Sequence, residues 1–199
     1  MIAVITGDII HSRKVASEVW LPKLKTYFAS IASRPGEWEI YRGDSFQLEI
    51  PVNDALRTAF CIKALIKVNN KIDVRMGIGI GEKEYTGANV TESSGTAFTR
   101  SGHRFEQLKD QTLGIKSAFE NTDNDFNLLL KLAGFIADNW KPATSETIFH
   151  MLNNPNILQK ELAHQLEKSN TTISKALKRG AYDELLEVIH LFNQKYGHG

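Results

Sequence analysis

Residues 40–48 read Ile-Tyr-Arg-Gly-Asp-Ser-Phe-Gln-Leu, with a short polar turn between two stretches in which apolar and polar side chains alternate. Alternation with a period of two is typical of a β-strand with one buried face. The Gly43-Asp44 step between the two stretches supplies the small and polar residues that tight turns need. We therefore predict a β-hairpin whose strands cover residues 37–42 and 45–50.

The neighbouring elements extend this hairpin into a larger sheet. An apolar run at residues 2–6 predicts a buried first strand over 2–7, which ends in a polar turn at Gly7-Asp8. The spacing of apolar residues predicts the remaining elements, namely a helix over 18–33, a helix over 51–69, a strand over 72–80 and a helix over 96–110. This order of strands and helices is the split β-α-β layout of ferredoxin-like and palm domains.

In that layout the first strand lies in the middle of the sheet, beside the second strand of the hairpin. We therefore expect Asp8 and Asp44 to come close together at one edge of the sheet. Paired carboxylates beside flexible glycine backbone suit a hard divalent cation and a phosphate. The simpler interpretation is that both aspartates only stabilise turns, which is a common role of Gly-Asp.

The pattern becomes helical after Leu113. Apolar positions at helical spacing predict helices over 123–139, 144–153, 158–167, 171–179 and 182–195. We therefore predict an α+β protein in two parts. A ferredoxin-like or palm α/β sandwich over residues 1–114 is followed by an all-helical domain over 115–199, with a helix-turn-helix at about 158–179.

The composition excludes several classes of protein. The 199 residues carry a formal net charge of +1, and 42% of them are hydrophobic, as in an ordinary globular protein. The sequence has no run of about 18 apolar residues, so we expect no membrane span. The single cysteine, Cys61, excludes an intramolecular disulfide and a cysteine-based zinc site, and we expect it in the core of a cytoplasmic protein.

The second informative stretch, residues 159–179, contains two short apolar stripes on successive helical segments. The stripes are formed by Leu162, Ala163 and Leu166 and by Ile173, Ala176 and Leu177. Ser169 precedes the second segment and is a good N-cap for it. A turn of about four residues between two short helices suits a helix-turn-helix.

This stretch resembles the helix-turn-helix of many bacterial transcription regulators. The matching positions are Leu162-Ala163, Leu166, Ser169, Thr172-Ile173-Ser174 and Leu177. Two positions depart from the pattern, because Glu167 stands where a turn glycine is usual and Lys168 stands where an apolar residue is usual. The resemblance implies that DNA is contacted by outward-facing residues of the second helix, namely Asn170, Thr171, Ser174, Lys175 and Lys178.

The local charge agrees with a nucleic-acid partner. Residues 159–180 contain five basic and two acidic side chains, a local charge of +3 against +1 for the whole chain. A basic helix neutralises phosphate groups, which supports DNA binding. The alternative is a three-helix module used for packing or for protein contacts, since basic surfaces are often only solvated.

The first 110 residues resemble the catalytic domains of class III nucleotide cyclases and of GGDEF diguanylate cyclases. The similar segments are Asp8–Lys14, Arg42–Phe46 and Asp73–Glu82. The resemblance implies that Asp8 and Asp44 hold one or two Mg²⁺ or Mn²⁺ ions. It also implies that a nucleotide or other phosphorylated ligand is bound by Gly7, Ile9, Arg42, Gly43 and Arg100.

Two departures from the cyclase families weaken the expectation of catalysis. Residues 98–104, which follow the glycine-rich strand, include no asparagine to orient the ribose, although Arg100 and Arg104 are available as the catalytic arginine. Ser45 stands where diguanylate cyclases have a glutamate. A site that keeps the metal carboxylates but lacks these groups is expected to bind a nucleotide and to react slowly.

Most of the chain also resembles the bacterial SatD family. The segments that recur together in that family are Thr6–Ile9, Arg42–Gln47, Arg75–Gly81 and Ser94–Phe98. This resemblance implies a palm-like domain followed by a helix-turn-helix, and it leaves the biochemical function open.

We therefore expect a cytoplasmic DNA-binding transcriptional regulator whose palm-like domain senses a metal ion, a nucleotide or another phosphorylated ligand. A homodimer is expected because such regulators read paired half-sites, and the long helix at 123–139 is the candidate dimer surface. One alternative is a metal-dependent nucleotidyl cyclase or nucleotidyl transferase. Another is a non-catalytic protein-interaction module with a palm fold.

Overall fold

A computed structural model describes residues 1–197 of the chain. Within this range the chain forms one sheet and eight α-helices, so the protein is α+β, as predicted. The strands are β1 (Ile2–Ile10), β2 (Trp38–Tyr41), β3 (Ser45–Ile50), β4 (Asp73–Gly81) and β5 (Leu113–Lys116). The helices are α1 (Ser17–Ile31), α2 (Val52–Lys67), α3 (Thr96–Glu106), α4 (Glu120–Asp138), α5 (Pro142–Asn153), α6 (Gln159–Gln165), α7 (Asn170–Arg179) and α8 (Tyr182–Tyr196). No helix within residues 1–197 has the length and apolar character needed to cross a membrane.

The five strands form one mixed sheet in the order β2-β3-β1-β4-β5. The first four strands pair antiparallel, and β5 runs parallel to β4. The first strand therefore lies between β3 and β4, which is the central position that the order of elements predicts. The sequence does not predict β5, because four residues are too few to establish an alternating pattern.

The first strand is longer than the sequence predicts. It continues to Ile10 because Asp8 is paired on both sides, with Ser45 of β3 and with Arg75 of β4. The prediction of a polar turn at Gly7-Asp8 is therefore wrong, and Asp8 is a strand residue held in a defined register.

The two faces of the sheet are covered by different helices. On one face, apolar side chains of β1, β3 and β4 share a core with α1 and α2, and the rings of Phe28 in α1 and Phe46 in β3 lie 5.3 Å apart. On the other face, α3 packs closely against β1, β4 and β5. A Cβ atom at Gly77 would lie 2.6 Å from the backbone nitrogen of Phe105 in α3. The glycine-rich run of β4 therefore allows α3 to approach the sheet.

The helical half shares its core with the sheet. Helices α5 and α8 pack against α2, and α4 packs against β5. One hydrophobic cluster consequently includes side chains from both halves of the chain, such as Ile5 in β1 and Phe192 in α8. The boundary predicted at residue 114 lies inside β5.

A buried group of charges links the two halves. The Nζ atom of Lys63 in α2 lies 2.7 Å from Oδ1 of Asp73 in β4 and also pairs with the carboxylate of Asp138 in α4. Lys67 donates to Oδ2 of Asp73 at 3.1 Å and to the backbone oxygen of Asp138 at 2.6 Å. Thr112 donates to Oδ1 of Asp138 at 2.7 Å. The two cations and two carboxylates compensate one another's charge in a partly buried site, in which the Asp73 and Asp138 side chains are 19% and 33% exposed.

Candidate functional site

A pocket of about 540 Å³ lies beside the end of β1. It is lined by Asp8, Ile9, Ile10, His11, Ser12, Arg13, Lys14, Asp44, Arg75 and Lys109. The structure therefore brings Asp8 and Asp44 into one pocket, although 36 positions separate them in the chain.

Asp8 is held by an arginine of the neighbouring strand. Nε and Nη2 of Arg75 donate to the two carboxylate oxygens of Asp8, each at 2.8 Å. The register causes this pairing, since Asp8 and Arg75 are directly opposite each other in β1 and β4. The guanidinium also lies over the ring of Phe105 in α3, with 4.9 Å between Cζ and the ring centroid. Hydrogen bonding to Asp8 raises the pKa of Arg75, so the arginine stays charged in this pair.

Asp44 is held by the segment that follows Asp8. The hydroxyl of Ser12 donates to Oδ2 of Asp44 at 2.6 Å. The hairpin turn that presents Asp44 is the one predicted, and it contains Arg42 and Gly43 in left-handed conformations, with φ of 53° and 89°. Glycine adopts this conformation without steric cost, which explains the residue at position 43.

Two of the residues predicted to bind a ligand are used inside the sheet. Gly7 is buried in β1, where a Cβ atom would lie 2.5 Å from Cζ of Phe46, so the absence of a side chain serves packing. The backbone N–H of Ile9 donates to the backbone oxygen of Asp44 at 3.0 Å. Ile9 lines the pocket, but its N–H is not available for the predicted phosphate contact.

The three other predicted ligand residues lie outside the lining of this pocket. Arg42 and Gly43 are exposed on the hairpin turn. Arg100 lies toward the opposite end of the sheet, where its guanidinium donates to the backbone oxygen of Ile80 at 2.7 Å. Ile80 pairs with Ala3, five residues along β1 from Asp8, so Arg100 is not brought to the carboxylates.

The pocket contains more positive charge than the two aspartates indicate. Four cationic side chains line it together with the two carboxylates, namely Arg13, Lys14, Arg75 and Lys109. Several cationic side chains around one pocket favour an anionic ligand, and a phosphate group presents several oxygens to such donors. The sequence places Arg13 and Lys14 next to the Gly-Asp motif, whereas Arg75 and Lys109 reach the pocket only through the strand register and the loop before β5.

Asp8 and Asp44 are the two carboxylates that line the pocket. Within residues 1–197, no three His, Cys, Asp or Glu side chains are grouped as a metal site. Mg²⁺ is commonly bound through one or two carboxylates together with substrate phosphates. Asp44 is the better placed carboxylate, because both oxygens of Asp8 already accept hydrogen bonds from Arg75.

The second candidate site is the pair of helices α6 and α7, which are joined by residues 166–169. Ser169 caps α7 as predicted, since its Oγ accepts a hydrogen bond from the backbone N–H of Thr172 at 3.1 Å. One face of α7 is buried through Ile173, Ala176 and Leu177, and the helix packs against α5, α6 and α8.

The opposite face of α7 is open to solvent. It exposes the five residues predicted to contact DNA, namely Asn170, Thr171, Ser174, Lys175 and Lys178. Neither Lys175 nor Lys178 takes part in an ion pair with any part of the chain that the structure describes. Their charges are therefore directed at solvent or at a partner.

The two departures from the bacterial helix-turn-helix pattern are accommodated locally. Glu167 has φ of 53°, which is the left-handed conformation that the usual glycine adopts easily. Lys168 is partly buried, and its ammonium pairs with Glu146 of α5. Its backbone N–H donates to the oxygen of Ala163 at 2.8 Å, which connects the turn to α6.

No family model matches this chain, and no curated protein or solved structure matches it either.

Proposed function

We propose that this protein is a DNA-binding transcriptional regulator in which α6 and α7 form a helix-turn-helix. The observation that carries the proposal is the exposed face of α7, whose opposite face is buried and whose N-terminus is capped. A recognition helix needs these properties, because it must be held rigidly from behind while it presents polar side chains to a groove.

The side chains on α7 suit the chemistry of DNA. Asn170 and Thr171 lie in the first turn, the part of a recognition helix that contacts base edges. An asparagine pairs with adenine through two hydrogen bonds in the major groove. Lys175 and Lys178 lie three residues apart on the same face, where they can contact phosphates and supply affinity without sequence preference.

The sheet half is, in this proposal, a palm-like sensor domain of the kind found beside a helix-turn-helix in the SatD family. The order of β2-β3-β1-β4 and the positions of α1 and α2 after β1 and β3 support a ferredoxin-like or palm architecture. The protein would act in the cytoplasm as a homodimer, because a helix-turn-helix reads paired half-sites.

The ligand of the sensor domain is, in this proposal, a nucleotide or another phosphorylated small molecule, bound with Mg²⁺ or Mn²⁺. The cationic side chains beside Asp8 and Asp44 support a phosphate, and Asp44 supplies a carboxylate to the ion. The volume of about 540 Å³ is within the range of small-molecule pockets.

Fluorescence anisotropy with labelled double-stranded DNA over a salt series tests DNA binding. We expect the double variant Lys175→Ala with Lys178→Ala to weaken binding and to lower the slope of log K against log salt by about 2, because two phosphate contacts are lost. The control is Lys23→Ala with Lys25→Ala, which removes the same charge from the exposed side of α1. Equal loss in both double variants, or no salt-dependent binding by the wild type, contradicts the proposal.

The alternative function is a metal-dependent nucleotidyl cyclase or nucleotidyl transferase. It is supported by one observation, that Asp8 and Asp44 line the same pocket beside cationic groups. Incubation with Mn²⁺ and each nucleoside triphosphate distinguishes it from the regulator. A cyclic product that Asp44→Ala abolishes would favour the enzyme.

The remaining alternative is a protein-interaction module that binds no nucleotide. It predicts no thermal shift with ATP, GTP or inorganic pyrophosphate in the presence of Mg²⁺ or Mn²⁺. The regulator proposal predicts a rise in melting temperature with at least one of these probes, and a smaller rise in Asp44→Ala.

A further inference from the structure

Helix α4 is apolar on two opposite faces. Its inner face packs into the core through Phe126, Leu130, Ala133 and Ala137. Its outer face carries four exposed apolar side chains. The exposed fractions are 62% for Leu128, 60% for Leu132, 71% for Phe135 and 36% for Ile136. A helix that is apolar on both faces is normally covered on both.

The exposed side chains form one continuous stripe. Leu128, Leu132, Phe135 and Ile136 are spaced by four, three and one residues, which places them on one side of a helix over more than two turns. Together they expose on the order of 400 Å² of apolar surface, a size at which patches on monomers usually mark an interaction site.

The charges around the stripe indicate which partner covers it. Asp125 is exposed at the N-terminal end of the stripe and Lys131 beside it, so the border carries one charge of each sign. A membrane surface would require a basic border, and a highly charged partner would require one of a single sign. A second copy of the chain has the same apolar stripe and the same balanced border.

We propose that the outer face of α4 is a homodimer interface, in which the stripe of one chain packs against the stripe of a second chain. A standard protein interface buries about 800 Å² on each partner. The stripe supplies roughly half of that area as an apolar centre, and the polar side chains around it supply the rim. The inference rests in part on the proposed function, because a helix-turn-helix that reads two half-sites acts as a dimer.

The interface leaves the exposed face of α7 accessible, and no residue of α4 lines the pocket at Asp8. Helix α7 packs against α5, α6 and α8, and its recognition face points to solvent. The pocket at Asp8 is lined by residues 8–14, 44, 75 and 109, and none of these belongs to α4. Dimerisation and DNA binding are therefore separable by mutation. Lys109, in contrast, lines the pocket at Asp8 and also a second pocket that includes Leu128 and Phe135 of the stripe.

Sedimentation velocity of the full-length protein, from about 1 to about 100 μM, tests the interface. We expect the wild type to sediment with twice the chain mass of 22.3 kDa. Leu132→Glu and Phe135→Glu are expected to sediment as monomers, with the dimer weakened at least about 100-fold, because each places a charge in the apolar centre. The control is Val19→Glu, which places the same charge on an apolar side chain of α1 that is 44% exposed.

Far-UV circular dichroism and thermal melting of each variant establish that the fold is retained, which is expected because the substituted side chains face solvent. A monomeric wild type at the highest concentration overturns the inference. So does a dimer that survives both α4 substitutions, or one that Val19→Glu disrupts equally.

DNA binding measured on the same samples separates this inference from the proposed function. A monomeric wild type that binds DNA through Lys175 and Lys178 overturns the interface alone. A wild-type dimer that Leu132→Glu dissociates, but that binds no DNA, supports the interface and overturns the regulator.

Discussion

Replacement of Asp138 by alanine removes one carboxylate from the buried charges that join α4 to α2 and β4. Two lysines and two aspartates neutralise each other there, and the Lys63 side chain is only 4% exposed. Without Asp138, the two ammonium groups of Lys63 and Lys67 share the single carboxylate of Asp73. Thr112 also loses the acceptor of its hydroxyl.

The expected size of the effect follows from burial. Breaking a fully buried ion pair typically costs about 3–5 kcal/mol. The loss of stability should be smaller here for two reasons. The Asp138 side chain is 33% exposed, and Lys63 keeps its ion pair with Asp73 at 2.7 Å. We therefore expect the free energy of unfolding to fall by about 2 kcal/mol, and the melting temperature by about 4–8 °C for a chain of this length.

Urea denaturation followed by circular dichroism and by tryptophan fluorescence measures this change. Trp20 and Trp38 belong to the sheet half, and Trp140 belongs to the helical half, so the fluorescence signal reports on both. The control is Asp110→Ala, an exposed aspartate in the loop before β5, for which we expect a change of less than about 0.5 kcal/mol.

A second variant tests whether the loss comes from uncompensated charge. In Lys63→Met with Asp138→Leu, apolar groups of similar length replace one cation and one carboxylate, so the remaining pair of Lys67 and Asp73 is again neutral. We expect this variant to recover at least half of the stability that Asp138→Ala loses. A loss below about 0.5 kcal/mol in Asp138→Ala, or an equal loss in Asp110→Ala, would refute the reasoning.

Three further predictions concern packing, capping and pH. Gly79→Ala should destabilise the protein by about 1–3 kcal/mol in thermal melts, because its Cβ would overlap the backbone of α3. Gly102→Ala is the control, since no atom lies within 4 Å of the added Cβ. It should leave stability unchanged or raise it by up to about 1 kcal/mol. Ser169→Ala removes the N-cap of α7 and should lower the free energy of unfolding by about 1 kcal/mol in urea denaturation. The control variant Ser174→Ala should leave the unfolding midpoint unchanged. Burial lowers the pKa of His150, so the unfolded chain binds this proton more readily than the folded protein does. Stability that is present above about pH 6.5 is therefore lost as the pH falls through the folded pKa. His150→Gln should reduce this loss of stability between pH 7 and pH 5, measured by urea denaturation.

Local patterns were sufficient to predict most of the elements. In residues 72–80 every second residue is apolar, which predicts a strand with one buried face, and these apolar residues, such as Met76 and Ile78, are buried in the core with α1 and α2. The hydroxyl of Ser169 caps α7, as its position before the apolar stripe predicts. These outcomes depend on neighbours within one or two turns of chain, and the sequence contains that information directly.

Local sequence patterns could not predict where β1 ends or which residues line the pocket. The Gly-Asp step suggests a turn, but the pairing of Asp8 with Ser45 and Arg75 keeps it in a strand. Arg75 occurs on the polar side of an alternating stretch, which was the one signal for its role, yet only the register places it opposite Asp8. Arg100 has the residue type that a phosphate needs and lies toward the other end of the sheet.

The sequence by itself therefore determined the α+β class, the order of the elements other than β5, the central place of the first strand and the two-sided character of α7. Periodicity, turn residues and caps carry that information because they act between residues that are close in the chain. The tertiary structure alone decided which cations share a pocket with Asp8 and Asp44, which charges join α4 to the sheet half, and which apolar face of α4 stays exposed. These features arise from the register of strands and the packing of helices that are distant in sequence, and no local pattern specifies either.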